Sequence, residues 1–300
     1  MKNTLLALFT FLTCISALHA QEKDSLQIKI DSIENSFVYK TGSIELESGN
    51  AKLDVPAGFR FLDKEQSNYV LTNLWGNPED ANILGMLVPE NRGVLQENSW
   101  AFTISYDNMG FVKDEDAKDI NYDDLLKEQQ KDVKESNPDR IKEGYESIQL
   151  INWASAPYYD ENKKILHWAK ELQFGEDSLH TLNYNLRILG RKGIFLLNAV
   201  ATMDELPAVK QHLDKVINSV SFHDGHKYAD FNPDGDEVAA WTVGGLVAGK
   251  VLAKAGFFAI LLKFWKLIAL GIAGGGAAIW KRFKGRKKEE NPFVNQHTEA

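Results

Sequence analysis

Between residues 147 and 201 apolar and polar positions alternate in four successive blocks, Ser147 to Ala154, Ile165 to Phe174, Thr181 to Leu189 and Ile194 to Ala201. A period of two sends successive side chains to opposite faces of an extended chain, so each block predicts a strand. The separators Tyr159-Asp-Glu-Asn-Lys, Gly175-Glu-Asp and Gly190-Arg-Lys-Gly are of hairpin length. Four antiparallel neighbours follow.

The same alternation, weaker, runs from Ile44 to Phe61, where IELESGNAKLDV turns at Gly49-Asn50 and GFRFL follows Pro56 as a third short strand. Ile83 to Val88 and Trp100 to Tyr106 predict two more strands. Helical spacing replaces the period of two in three places. Glu65 to Leu74 predicts a helix broken by LWGNPED, and Tyr122 to Glu135 places Leu125, Leu126, Gln129 and Val133 on one face, with Asn137-Pro138 ending it after the acidic turn Asp114 to Asp119. Asp204 predicts the cap of a helix bearing Leu206, Val209, Leu213, Val216 and Ile217, after which Val220 to Phe222 returns to the sheet. Gln21 to Val38 reads as a short helix or an extended lead-in. The fold expected is one α+β domain over residues 21–237, an antiparallel sheet covered by helices and followed by a C-terminal membrane helix or helical hairpin.

Hydropathy sets the two ends apart. Residues 1–20 have the layout of a secretory signal peptide: Lys2, an apolar run from Leu5 to Ala17, and Leu-His-Ala before Gln21. At the other end, within residues 264–280, Leu267 to Trp280 is an uncharged run with Trp265 and Trp280 at its two ends, Lys263 and Lys266 on one side and the basic tail 281–300, beginning KRFKGRKK, on the other. Aromatic and basic flanks are what the two interfaces of a bilayer select, so this run is expected to be the transmembrane helix. Residues 238–262 are apolar apart from Thr242, Lys250 and Lys254, and are expected to form an interfacial helix or the first arm of a hairpin. Gly245 with Gly249 and Gly271 with Gly275 give each segment a small-residue face, through which a homo-oligomer can pack. A single span leaves the basic tail in the cytoplasm, in line with the positive-inside tendency, and puts the main domain on the periplasmic side of a bacterial cytoplasmic membrane.

Charge sharpens this division. Residues 241–300 hold ten Lys and Arg against three Glu, whereas residues 3–240 hold 23 Lys and Arg against 39 Asp and Glu, a net charge of −16. So acidic a domain is a poor partner for nucleic acid. Cys14, inside the apolar leader, is the one cysteine, so disulfides, thiolate catalysis and cysteine-bound metals are excluded from the mature domain.

Candidate chemistry is sparse. Asp230, Asn232, Asp234 and Gly235 match the first half of a calcium loop, but Trp241 stands where the bidentate Glu belongs, and a turn leading into a helix near Val238 is the simpler reading. His223, Asp224 and His226 have no zinc spacing, and His167 and Glu171, four apart on a strand and so about 13 Å distant, point to separate cross-strand partners. Ser155, between Trp153 and Tyr158, has no nearby His, although a distant one can fold against it. Trp75, Trp100, Trp153 and Trp168 with Tyr158, Tyr159 and Tyr184 line either a groove or the core. Arg187 and Arg191 flank a tight turn and either receive an anion or pair with carboxylates. No GxSxG, SxxK, P-loop or HExxH occurs. No catalytic, cofactor or metal residue is assigned.

The segments LWGNP (74–78), LGMLVP (84–89), YDNMGFVKDEDA (106–117), INWASAPYYD (151–160), LHWAKEL (166–172), LNYNLRILGRKGIFLLN (182–198) and YADFNP (228–233) resemble a bacterial domain-of-unknown-function family, number 2167. The resemblance implies an envelope protein with a C-terminal membrane anchor and brings no catalytic residues with it. The expected role is a non-enzymatic binding or scaffolding module with a protein or envelope partner. The alternative is an envelope hydrolase or metal-dependent enzyme whose site assembles only in the fold.

Overall fold

The computed structural model describes residues 27–75, 80–96, 98–117, 120–142 and 144–248. The expected signal peptide, the transmembrane run 264–280, the basic tail and the greater part of 238–262 lie outside the described residues, as do Gly249, Gly271 and Gly275. Among the described residues no helix is long and apolar enough to cross a membrane. The chain divides into two units, one comprising residues 1–38 and 276–300 and the other Tyr39–Gly275. The described part of the first, residues 27–38, holds a short helix, α1 (27–34), bridged by Gln27 Nε2 donating to Asp31 Oδ1 at 2.8 Å.

In the second unit the hairpin predicted around Gly49-Asn50 forms from β1 (Ser43–Leu46) and β2 (Ala51–Asp54), paired from Ser43 with Asp54 to Leu46 with Ala51. Asn50 takes the left-handed conformation at φ 49°, tolerable for Asn because its short polar side chain interacts locally. Gly49 is required for a different reason. A Cβ there would lie 2.2 Å from Phe195 Cζ.

The predicted third strand, β3 (Phe59–Asp63), leaves this hairpin and starts another sheet. Asp63 caps α2 (Lys64–Tyr69) by accepting from Gln66 N, and the helix widens into a π-turn over Val70–Leu74. Then come β4 (Ile83–Pro89), β5 (Ala101–Asp107) and β6 (Phe111–Lys113), a strand too short to show a period. The helix α3 spans Tyr122–Lys142 and thus runs through Pro138, where the sequence predicted its end. Tertiary bonds hold the extra turn: Asn137 both donates to Ile148 O at 2.9 Å and accepts from Ile148 N at 2.8 Å, and Arg140 Nε donates to Glu146 O.

The four alternating blocks become β7 (Ile148–Asp160), β8 (Ile165–Phe174), β9 (Thr181–Leu189) and β10 (Ile194–Thr202). β7 runs on through Tyr159, which was expected in a turn, by way of three register shifts against β8. The helix α4 (Leu206–Ile217) forms as expected, but Asp204 does not cap it: a 3₁₀ turn over Met203–Glu205 precedes the helix, and Pro207 occupies its first turn. β11 (Val220–Phe222) pairs with β2. Val238–Thr242, predicted as helix, is strand β12, drawn into a parallel pair with β6, and α5 (Val243–Ala248) follows it.

The result is a seven-stranded antiparallel sheet in the order β3-β4-β5-β10-β9-β8-β7, a three-stranded sheet β1-β2-β11, and the β6-β12 pair. Each face of the large sheet carries a buried apolar cluster, and on the second Thr103, Asn183, Leu196 and Asn198 stay half-buried. On one, Phe102, Ile104, Leu186, Phe195 and Leu197 pack against Leu53 of the small sheet and Val209 and Val216 of α4. On the other, Leu166, Trp168, Leu189 and Ile194 meet Val112 of β6, Leu125 of α3, Trp241 of β12 and Leu246 of α5. Burial of this apolar surface is the main favourable term for the fold.

Candidate functional site

The second face is not uniformly apolar. Register places Thr103 of β5 beside Asn198 of β10, Asn198 beside Asn185 of β9, and Asn185 beside Trp168 of β8. Two residues further along the same strands Arg187 lies opposite Leu196 and Leu166, and in the other direction Lys170 lies opposite Asn183. Because the side-chain period is two, all of these project from one face. Hydrogen-bonding groups therefore cross the middle of the sheet where apolar residues would be cheaper to bury.

Arg187 is 3% exposed. Its Nη1 donates to Leu186 O at 2.8 Å and Asn198 Oδ1 at 2.9 Å, its Nη2 to Asn185 Oδ1 at 3.2 Å, and its guanidinium carbon stands 5.0 Å from the centre of the Trp168 ring. Every partner is neutral. Burial pushes its pKa down to about 9, relieved in part by the charge of Asp107, so it remains a cation at neutral pH. Asp107 is itself raised by burial, with Arg187 acting in the opposite direction.

Lys170 is partly buried beside the Trp153 ring, 5.9 Å from its centre. Desolvation first, and then the nearby Arg187 charge, push its pKa down to about 8. Among the described residues neither cation forms a salt bridge. The buried Trp168 Nε1–H, on the ring that Arg187 contacts, has no hydrogen-bond partner. An open cleft of about 430 Å³, lined by Lys64, Asn82, Tyr106, Asp107 and Lys192, adjoins the Asp107 end of β5.

The residues singled out in the sequence fall elsewhere. Asp236, rather than the calcium-like set, anchors its loop: it accepts from Asn232 N and pairs with Arg191 at two points. Asp230 accepts from Lys227 N, and Asn232 Oδ1 accepts from Asp234 N. The helix this loop was expected to cap begins five residues later than Val238, after β12. His223 faces Glu45 at 2.9 Å while Asp224 faces Lys227, so the FHDGH residues do not converge. Glu171 contacts His180 at 2.5 Å, and His167 contacts the Tyr184 hydroxyl at 2.9 Å, as two separate cross-strand partnerships. No group of three or more His, Cys, Asp or Glu converges among the described residues.

Ser155 does find a distant histidine, through a tyrosine. Its hydroxyl acts to lower the pKa of the nearby Tyr184 phenol, which burial raises, and that phenol bonds His167 Nδ1 at 2.9 Å. Burial lowers the His167 pKa. The aromatics expected to line either a groove or the core are divided: Trp100 stacks edge-on with Phe59 and Phe102 in the first core, Trp75 donates to Val94 O, and of the four tryptophans Trp153 and Trp168 border the cations. Tyr159 and Tyr228 both donate to Asp114, as does Lys164, in a closed structural cluster.

Sequence reading missed Lys170 and the role of Arg187 because polar positions in an alternating strand read as solvent-facing. The signal available was their company: Leu166, Trp168, Leu189 and Ile194 share the supposedly wet face.

Comparison with known proteins gives a family and a few distant structures. No curated protein matches the chain. Among solved structures it is similar to the cyanobacterial PsbP protein CyanoP of Synechocystis sp. PCC 6803, at 12% identity over 60% of this chain and 91% of that one, with a TM-score of 0.35. Similarity also extends to the Saccharomyces cerevisiae Ran-binding protein Mog1p (12% identity, 62% and 95% covered, TM-score 0.29) and to LpqN of Mycobacterium tuberculosis, described as involved in cell envelope biogenesis (11%, 63% and 93%, 0.29). A family model described as protein of unknown function, DUF2167, matches residues 38–276, which is most of the chain, and the chain belongs to that family.

Proposed function

We propose that this protein is a non-enzymatic binding module of the bacterial envelope, exported by residues 1–20, held in the cytoplasmic membrane by residues 264–280, and presenting the polar face of its large sheet to a partner. The observation that carries the reading is the row Thr103, Asn198, Asn185 with Arg187 across three adjacent central strands, in which Thr103 and Asn198 stay half-buried while Asn185 and Arg187 are buried. Amides and a guanidinium at the centre of a sheet are costly to bury and serve recognition better than packing. The anchor rests on the Trp- and Lys-flanked apolar run and on the charge division between the two parts of the chain.

Photo-cross-linking in intact cells tests the binding face. A cross-linker at Asn183 is expected to capture one defined partner, and one at exposed Glu65 is expected not to. Equal capture at both positions, or none at Asn183, overturns the binding face. A reporter fused after Ala300 is expected to be active only in the cytoplasm, and protection of residues 27–248 inside the cell would overturn the topology.

Ser155 beside the Tyr184–His167 hydrogen bond favours a second reading, an envelope hydrolase. Labelling of Ser155 by a fluorophosphonate, lost in Ser155→Ala, would establish it.

A further inference from the structure

We propose that Lys170, Arg187 and the Trp168 indole N–H form an oxyanion site that takes a single carboxylate or phosphate group. The proposal deepens the reading of this sheet face as a binding surface and rests on it. Three features share this face of β8 and β9. Arg187 directs three of its five N–H groups at neutral oxygens, which fixes the guanidinium plane and leaves two donors for a ligand. The Trp168 Nε1–H lacks a partner although the residue is 3% exposed. A buried donor left unmade is the exception in folded proteins and calls for an acceptor.

Lys170 supplies the third donor. It lies on the strand next to Arg187 and on the same face, four register positions along, and among the described residues no carboxylate forms a salt bridge with either, Asp107 acting on Arg187 only through space. Two cations that repel one another across a few side chains are unfavourable until an anion sits between them. The ligand is thus negatively charged. The flanking indoles of Trp153 and Trp168 stabilise the cations by their ring faces without competing for the anion. Guanidinium and ammonium groups bind carboxylate and phosphate alike, and a phosphate can come from solution or from a lipid headgroup.

The test uses the full chain in neutral detergent, titrated with inorganic phosphate and with acetate, and in nanodiscs of phosphatidylcholine with and without phosphatidylglycerol. Tryptophan fluorescence and melting temperature are the readouts. Saturable binding of either small anion, with a rise in melting temperature and at least a tenfold loss of affinity in Lys170→Gln, supports a soluble oxyanion. A response to phosphatidylglycerol alone, equally sensitive to Lys170→Gln, supports a headgroup. Arg187→Gln is expected to abolish either response. Should that variant fail to fold, Lys170→Gln decides the matter alone. Binding that Lys170→Gln leaves unchanged, or no response to any probe, overturns the site. If the site fails while the Asn183 cross-link persists, the binding face survives without the anion; loss of both removes the reading itself.

Discussion

Asp236 grips Arg191 at two points, Nε to Oδ2 at 2.6 Å and Nη2 to Oδ1 at 3.0 Å, and so ties the 230–236 loop to the β9-β10 turn. Planar two-point pairing of this kind fixes orientation as well as attraction. The contact holds the carboxylate below its ordinary range, chiefly through the Arg191 hydrogen bonds. Asp236→Asn is expected to lower the melting temperature. Millimolar calcium is expected to leave the wild-type melting temperature unchanged, since the loop's strongest ligand faces a guanidinium. A rise with calcium in scanning calorimetry would show that the loop oxygens are free to coordinate.

Asp114 receives three donors, Tyr159 at 2.7 Å, Lys164 at 2.7 Å and Tyr228 at 3.0 Å. Burial acts to raise its pKa, but the Lys164, Tyr159 and Tyr228 hydrogen bonds together outweigh it and the pKa is lowered. A carboxylate with a depressed folded-state pKa stabilises the fold above its unfolded value of about 3.9, and that contribution is lost as pH falls through the lower folded value. Asp114→Asn is expected to cost about 1–3 kcal/mol at neutral pH and to flatten the acid limb of stability below about pH 4. Urea titrations of both proteins from pH 2.5 to 7 measure the difference. Parallel acid limbs would contradict it.

How much of this was legible in the sequence depends on whether the deciding contact was local. The period of two located β8 and β9 to the residue, because alternation is a property of the strand itself. Gly49-Asn50 located its turn for the same reason. Pro138 misled because the bonds that carry α3 past it come from Ile148 and Glu146, on the other side of a loop. Val238 to Thr242 misled because apolar content without a period does not separate a strand from a helix, and the β6 partner lies more than a hundred residues away. The cation face was hidden more deeply. Lys170 and Arg187 are spelled as surface residues, and only the packing of α3, β6, β12 and α5 over neighbouring positions encloses them.

Gly85 shows a second non-local requirement. A Cβ there would stand 2.1 Å from Phe61 Cζ and 2.6 Å from Leu62 O, at the register shift between β4 and β5. The ring could move, but the backbone oxygen cannot without breaking the β3-β4 pairing. Gly85→Ala is expected to destabilise by about 1–3 kcal/mol, the usual range for overpacking, with unchanged secondary structure content. Chemical denaturation measures the shift, and a loss under about half a kcal/mol would mean that β3 yields more readily than its pairing implies.

Asn137→Ala removes both bonds to the backbone of Ile148, a residue 3% exposed at the start of β7. A buried N–H and C=O left unmade cost about 1–3 kcal/mol, and the helical turn beyond Pro138 loses its external support. Hydrogen exchange is expected to quicken selectively in residues 137–142 and at Ile148. Uniform quickening across the domain would instead mark a global loss of stability.

Lys170→Met separates stability from recognition. The ammonium has a folded-state pKa of about 8, against about 10.4 when unfolded. Below pH 8 both states are charged and the fold bears the full desolvation penalty. Between about pH 8 and 10.4 the unfolded state holds more protons than the folded one, so wild-type stability rises with pH across that window. Arg187 makes a similar contribution at higher pH and remains in the variant, which makes the difference between the two proteins the quantity to follow. Methionine fills much the same space without a charge. The variant is therefore expected to melt higher than wild type at pH 7, to lose the wild-type gain between pH 8 and 10.4, and to lose anion binding. A core lysine kept only for packing would give the first two results and leave the third untouched, whereas a lysine retained at the expense of stability to hold a ligand gives all three.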